Sequence, residues 1–257
     1  MVTRLIALLA ASLPSSVKYR LGWARPAYVR LMRLWQPLIE VETRAGKITW
    51  QIDALTSQRH LLGTYEPHMQ DAFCKYVQSG SVVFDIGAHA GFHSLFCGLL
   101  VRPAGQVFAF EPNPISNISL SEQVRKNPGL GITVLPVALS DFSGTATFDA
   151  SMDSQSRLAE TGEVMVKVDT IERLVAAEIP APNIIKIDVE GHEERVLKGS
   201  METLARYRPV VLVDWNDSMT FQSVSALLAP LGYHVLSGPP VTALPYSEES
   251  ATTATTN

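Results

Sequence analysis

Short apolar runs in this chain keep ending on acids. Asp85 closes Val82-Val83-Phe84, Glu111 follows Gln106–Phe110, Asp141 follows the run 132–139, Asp188 sits late in the run 183–189, and Asp214 ends the run 210–215. One acid at a strand end is unremarkable. Five gathered on one edge of a parallel sheet make a site, because ligands of such sheets sit at the carboxyl ends of the strands. Asp85 is followed by two glycines, Gly87 and Gly91, and then by an apolar helical pattern (Phe92, Leu95, Phe96, Leu99, Leu100). Strand, acid, glycine turn and helix form the first unit of a nucleotide-binding sheet. The glycine that touches a pyrophosphate in the dinucleotide fingerprint is missing from Gly87-Ala88-His89-Ala90-Gly91, which disfavours NAD, and no Gly-Lys-Ser/Thr marks a P-loop. An acid-lined pocket suits a nucleoside that lacks phosphates and carries positive charge, and S-adenosylmethionine meets both conditions. Glu111, at the end of the next strand, is placed to accept both ribose hydroxyls.

These residues need a frame. From 81 onward, strands and helices alternate, which predicts a Rossmann-like, doubly wound, mostly parallel α/β sheet with helices on both faces. Before it, 39–43 and 47–53 alternate apolar and polar residues around Arg44-Ala45-Gly46, a hairpin signal. A helix is expected to begin at Pro67. Segments 145–148 and 164–168 read as two extra, paired strands, and Gly199 should interrupt the helix that follows Asp188. The expected division is a basic helical extension over 1–39, a hairpin and helix over 40–80, the nucleotide-binding domain over 81–245, and a disordered tail over 246–257.

A net charge of −4 gives no reason to expect a nucleic-acid partner. The charge is uneven: residues 1–39 hold no acid and six bases, Arg4, Lys18, Arg20, Arg25, Arg30 and Arg33. There Tyr28, Leu31, Met32 and Trp35 recur at helical spacing, either to pack on the main domain or to rest on an anionic membrane as a peripheral contact. The apolar run 5–13 is short for a spanning helix and has some features of a secretory signal, but a nucleotide cofactor made and used in the cytosol argues for a cytoplasmic protein. Cys74 and Cys97 both fall in apolar helical patterns and read as reduced core residues.

Read together, these motifs resemble the FkbM-type methyltransferases, a branch of the class I S-adenosylmethionine-dependent enzymes. The residues carrying the resemblance are Val82-Val83-Phe84-Asp85-Ile86-Gly87-Ala88-His89-Ala90-Gly91, Phe110-Glu111-Pro112-Asn113-Pro114, Ala138-Leu139-Ser140-Asp141 before Gly144, and Ile185-Lys186-Ile187-Asp188-Val189-Glu190-Gly191-His192-Glu193 leading to Gly199. The resemblance implies a cofactor site built from Asp85, Gly87, His89, Gly91, Glu111 and Asn113, with Ala138, Leu139 and Asp141 on the adenine side. It also implies a hydroxyl acceptor on a sugar, glycan or natural-product scaffold. The family usually carries Asn where this chain has His89, and commonly Glu where it has Asp214.

A hydroxyl acceptor must lose its proton, and an ordinary carboxylate is a weak base for that unless burial raises its pKa. Asp188 and Glu190 are the candidates to orient or deprotonate the acceptor, with His192 as a third. Lys186 is expected to pair with a neighbouring acid, and Tyr65-Glu66 to contact the methionine end of the cofactor. A second arrangement, with Mg²⁺ on Asp188, Asp214 and Asn216, would lower the acceptor pKa instead. Two other functions stay open on sequence alone: an NAD-linked oxidoreductase of the same topology, and a nucleotide-binding module without turnover.

Overall fold

The computed structural model describes residues 37–53, 55–149, 157–158, 164–214 and 218–246. The basic helix expected near 28–35, Asn216 and the tail from 247 lie outside the described residues.

β1 (Leu38–Thr43) and β2 (Gly46–Gln51) form the antiparallel hairpin, followed by α1 (Gln58–Leu61) and α2 (Pro67–Tyr76). The nucleotide-binding unit then runs β3 (Val82–Ile86), α3 (Phe92–Leu100), β4 (Gln106–Phe110), α4 (Pro114–Lys126) and β5 (Ile132–Leu135). β6 (Val137–Leu139), β7 (Gly144–Asp149), β8 (Arg157–Leu158) and β9 (Val164–Asp169) make a four-stranded side sheet. The second half is α5 (Ile171–Ala176), β10 (Ile184–Ile187), α6 (Glu193–Lys198), α7 (Met201–Tyr207), β11 (Val210–Val213), α8 (Ser218–Leu228), β12 (Tyr233–Leu236) and β13 (Val241–Pro245).

The central sheet has the order β12-β13-β11-β10-β3-β4-β5. Its strands are parallel from β11 to β5, and β13 runs antiparallel between β11 and β12. The chain winds outward from β3 through β4 to β5 and then returns to lay β10 on β3's other side. That reversal makes the β3–β10 boundary the switch point where such sheets hold ligands. Period-two alternation sorts the core. Val83, Val107, Ile184 and Leu212 face Met69 and Phe73 of α2 and Phe96 of α3. Phe84, Phe108, Ile185, Ile187, Val211 and Val213 face Ile171, Val196, Leu204 and Leu228 on the other side.

Several expectations need correcting. The run 132–139 is two strands in two sheets, because Pro136 has no N–H to continue the ladder. The run 183–189 pairs only over Ile184–Ile187. β13 was hidden behind Gly238-Pro239-Pro240, and α1 is too short to show a period. Cys97 is buried as expected, but Cys74 is exposed, since α2 turns it away from the sheet. The extra strands pair as expected, β7 against β9.

The hairpin is fastened to the main sheet by amide side chains. Gln123 of α4 accepts from the Gln51 N–H at 2.8 Å and donates to the Gln51 carbonyl at 2.7 Å. Asn127, one helical turn on, makes the same pair of bonds to Thr49, at 2.8 and 2.7 Å. Two amides at i and i+4 thus serve the free edge of β2 as a neighbouring strand would.

Candidate active site

Lys186 and Asp85 face each other across the switch point, since the β10–β3 register sets them side by side on the same sheet face. Both are buried, Lys186 at 1% exposure and Asp85 at 0%. The Lys186 ammonium lies 3.2 Å from Asp85 Oδ1 and 3.3 Å from Asp188 Oδ2, and it donates to the Gly87 carbonyl at 2.9 Å. The second Asp85 oxygen accepts from Ser94 Oγ at 2.5 Å. Burial favours the neutral amine, but the combined field of Asp85, Asp188 and Glu66 outweighs it and holds the Lys186 pKa above its ordinary range. One ammonium thereby joins the end of β3, the glycine turn and the residue that leaves β10. Asp85 sits beneath the turn and positions it.

The turn's backbone explains its residue types. Gly87 has φ +78°, and a Cβ there would overlap the Asp188 carbonyl oxygen. His89 is also left-handed, at φ 49°, a conformation in which Asn and His are both enriched over most residues. Its N–H donates to Glu111 Oε2 at 2.8 Å, and the Asn113 N–H donates to Glu111 Oε1 at 2.8 Å. Asn113 then caps α4, its side-chain oxygen accepting from the Ile115 N–H. Each Glu111 oxygen is therefore aimed by a backbone donor and keeps further acceptor capacity. Burial pushes the Glu111 carboxyl up to about 7, against those two bonds, which work to lower it.

The residues expected on the adenine side lie on or just after the side sheet. Ala138 and Leu139 are buried on β6, and Asp141 follows it, 3.7 Å from Arg195. Asp85, Glu111, Asp188 and Asp214 do lie on one edge, at the ends of β3, β4, β10 and β11, whereas Asp141 follows β6 of the neighbouring sheet. His192 sits there too, its Nε2 2.9 Å from Ser140 Oγ. Glu190 is left-handed, at φ 52°, in the turn that enters α6, where the Gly191 N–H is held by Glu193.

Glu66, His68 and His93 complete the site from the other side. Glu66 precedes α2 with φ 42°, and the Tyr65 carbonyl beside it accepts from the buried Gln70 side chain at 2.7 Å. The ligand atoms of Glu66, Asp188 and Asp214 lie within 4.8 Å of one another. His68 Nε2 is 3.4 Å from Asp214 Oδ1. His93, on α3, is buried, with Nε2 3.6 Å from Glu66 Oε2, and neither of those two atoms has a hydrogen-bond partner among the described residues. Burial raises the Glu66 carboxyl to about 7; Lys186 opposes that shift, while Asp188 and Asp214 add to it. An aromatic stack backs the segment, with ring centroids 5.0 Å apart for Trp50–His60 and 4.2 Å for His60–Tyr65. Burial drops the His60 pKa to about 3, and the ring stays neutral to accept the Ser57 N–H. Of the expected Mg²⁺ set, Asp188 and Asp214 converge, with Glu66 as the third acid, and Asp188 also pairs with the Lys186 ammonium.

His93, His68 and Ser94 escaped sequence reasoning, and His60 did as well. Ser94 and His93 adjoin the glycine turn, which was a usable signal; nothing in the sequence brings His68 to Asp214.

A seven-stranded sheet with this order, a glycine turn after its first strand and a carboxylate presented at the end of the second define a class I S-adenosylmethionine-dependent methyltransferase. The Methyltransferase FkbM domain matches residues 85–235, and the chain belongs to that family. The chain is 31% identical over 201 residues to hexuronic acid methyltransferase AglP of Haloferax volcanii, covering 75% of this chain and 80% of that one. It is 30% identical over 197 residues to 31-O-demethyl-FK506 methyltransferase FkbM of Streptomyces tacrolimicus, covering 62% and 75%. The crystal structure of methyltransferase FkbM from Methylobacillus flagellatus shares the fold, with a TM-score of 0.50 at 16% identity over 75% of this chain and 55% of that one. The protein is an S-adenosylmethionine-dependent methyltransferase, and the NAD-linked reading falls away. Among the described residues no helix is long and apolar enough to cross a membrane.

Proposed function

We propose that the chain methylates an oxygen of a sugar or of a hydroxylated natural-product scaffold, and that the hydroxyl oxygen is the acceptor. The residues present fit the cofactor. Glu111 is aimed to accept the ribose hydroxyls, His89 and Gly91 shape the turn, Asn113 fixes Glu111, and Ala138, Leu139 and Asp141 flank the base. When bound, the sulfonium supplies both the methyl group and its leaving group. The chain's own work is then to bind, to aim the acceptor and to remove its proton.

The observation that carries the hydroxyl reading is the charge of the acceptor side. Glu66, Asp188 and Asp214 converge there against one ammonium, Lys186, which Asp85 already shares. Such a pocket disfavours an anionic carboxylate and accepts a neutral hydroxyl as a hydrogen-bond donor. Asp188 and Glu190, next to where β10 ends, orient that hydroxyl, while His192 stands on the adenine side with Ser140. Relatives named for a hexuronic acid and for 31-O-demethyl-FK506 support sugars and natural products as the acceptor classes.

The test is transfer of a labelled methyl group from S-adenosylmethionine to uronic-acid and neutral glycosides, with the product treated with mild alkali. An ether survives alkali and supports the proposal. A labile methyl ester would move the acceptor atom to the carboxylate.

A further inference from the structure

We infer that Glu66 is the general base that takes the acceptor's proton. The inference rests on the methyl-transfer reading above and assigns within it a role to Glu66 other than contact with the cofactor's methionine end. Three geometric facts carry it. First, Glu66 meets Asp188 at the end of β10 and Asp214 at the end of β11, on the opposite side of β3 from Glu111 at the end of β4. The sheet therefore separates a ribose acid from an acceptor-side acid. Second, Glu66 Oε2 is buried with no hydrogen-bond partner among the described residues, whereas Asp188 already commits an oxygen to Lys186. A buried acceptor left unmatched is costly, which marks it as waiting for a donor. Third, the buried His93 Nε2 faces that same oxygen at 3.6 Å and is itself unmatched.

The chemistry of the group agrees with its place. A carboxylate near its ordinary pKa is a poor base for a hydroxyl, and burial brings Glu66 to about 7, where a base is most effective at neutral pH. The groups around it are the Tyr65 hydroxyl, which as a donor works with Lys186 to lower the Glu66 pKa against its burial, His68 of α2, His93 of α3, Lys186 and Asp188 of the β10 end, and Asp214 of the β11 end. Burial holds the His93 pKa well below its ordinary value, so its ring adds no positive charge that would acidify Glu66. In the step, the acceptor oxygen bonds to the methyl carbon as the carbon–sulfur bond breaks. The sulfur keeps the electron pair, and the hydroxyl proton passes to the Glu66 carboxylate. S-adenosylhomocysteine and the methyl ether result, and the proton leaves Glu66 for solvent after the products.

The test has three arms. Calorimetric titration of wild type and Glu66→Gln with S-adenosylmethionine should give affinities within about three-fold. Weakening of ten-fold or more would put Glu66 on the cofactor and overturn the inference, whereas failure of the wild type to bind would overturn the methyltransferase reading instead. In wild type bound to S-adenosylhomocysteine, the glutamate side-chain ¹³C resonance lost in Glu66→Gln should titrate near pH 7. A resonance that stays ionised down to pH 5 refutes the role. With methyl glucuronide as acceptor, kcat of wild type should rise with pH through about 7. Glu66→Gln should lose about 10²–10⁴-fold in kcat together with that limb, while Glu66→Asp keeps the limb at a reduced rate. An unchanged kcat in Glu66→Gln contradicts the inference. If the wild type leaves this glycoside unmethylated, the acceptor class is wrong and the first two arms decide Glu66.

Discussion

Replacing Lys186 with Met tests whether one buried ammonium holds the cofactor turn together. The change keeps most of the side chain's volume and removes the charge, leaving the fully buried Asp85 carboxylate with only Ser94. At 3.2 Å the Lys186–Asp85 attraction is about 5 kcal/mol for an effective dielectric constant of about 20. Desolvation offsets much of that in the intact pair, so the pair's net contribution is smaller than its attraction. Breaking the pair is a different matter, because an unpaired buried charge remains, and we expect Lys186→Met to cost about 3–5 kcal/mol. Asp85→Asn, which leaves Lys186 with Asp188 and the Gly87 carbonyl, should cost less. The double variant should recover part of the loss, giving a coupling energy above about 1.5 kcal/mol, within the range for residues in one network. Urea unfolding of the four proteins, with unchanged m-values, measures the cycle. Additive losses, or a Lys186→Met cost below about 1 kcal/mol, would mean that Lys186 does not hold the turn together.

Other outcomes follow from the same geometry. Glu111→Ala should weaken S-adenosylmethionine binding by about ten- to a hundred-fold, from the loss of charged hydrogen bonds worth about 1.5–3 kcal/mol, with the far-ultraviolet circular dichroism unchanged. Because burial brings Glu111 to about 7, its full acceptor capacity is present above that pH and lost as pH falls through it, so wild-type affinity should be lower at pH 6 than at pH 8 by calorimetry. Gly87→Ala forces a side chain into the Asp188 carbonyl at positive φ and should abolish cofactor binding even where the protein stays folded. Removing both amides, Gln123→Ala with Asn127→Ala, should speed hydrogen exchange at Thr49 and Gln51 by at least ten-fold, while β3 and β4 stay protected. Equal exchange would mean that the hairpin is held by its apolar face alone.

The parts of the site that were legible in the sequence are those written in consecutive residues. Asp85-Ile86-Gly87 and Glu111-Pro112-Asn113 could be read because strand, acid and turn lie within a few positions of one another, and the alternation of elements gave the sheet. Contacts between distant segments could not be read. Nothing local says that Glu66 reaches Asp188 and Asp214, or that His93 turns inward toward Glu66, because those approaches depend on how α2 and α3 pack over β3, β10 and β11. Lys186 was foreseen as a partner of some acid. Its hold on three elements at once depends on the register of β10 against β3, which the sequence leaves open. His192 is near Asp188 in sequence, but the turn through Glu190-Gly191 carries it across to Ser140. Pro136 was the missed local signal: a proline in a continuous apolar run should have divided it.

Transfer of a methyl group to a hydroxyl oxygen over the acid-lined ends of β10 and β11 is the proposed reaction of this family member. Mass spectrometry of a glucuronide incubated with the protein and deuteromethyl-labelled S-adenosylmethionine tests it most directly. The expected product gains one labelled methyl that survives mild alkali and appears on a ring hydroxyl after fragmentation. Label released by alkali, or label found on nitrogen or carbon in an acceptor that offers those atoms, would contradict it.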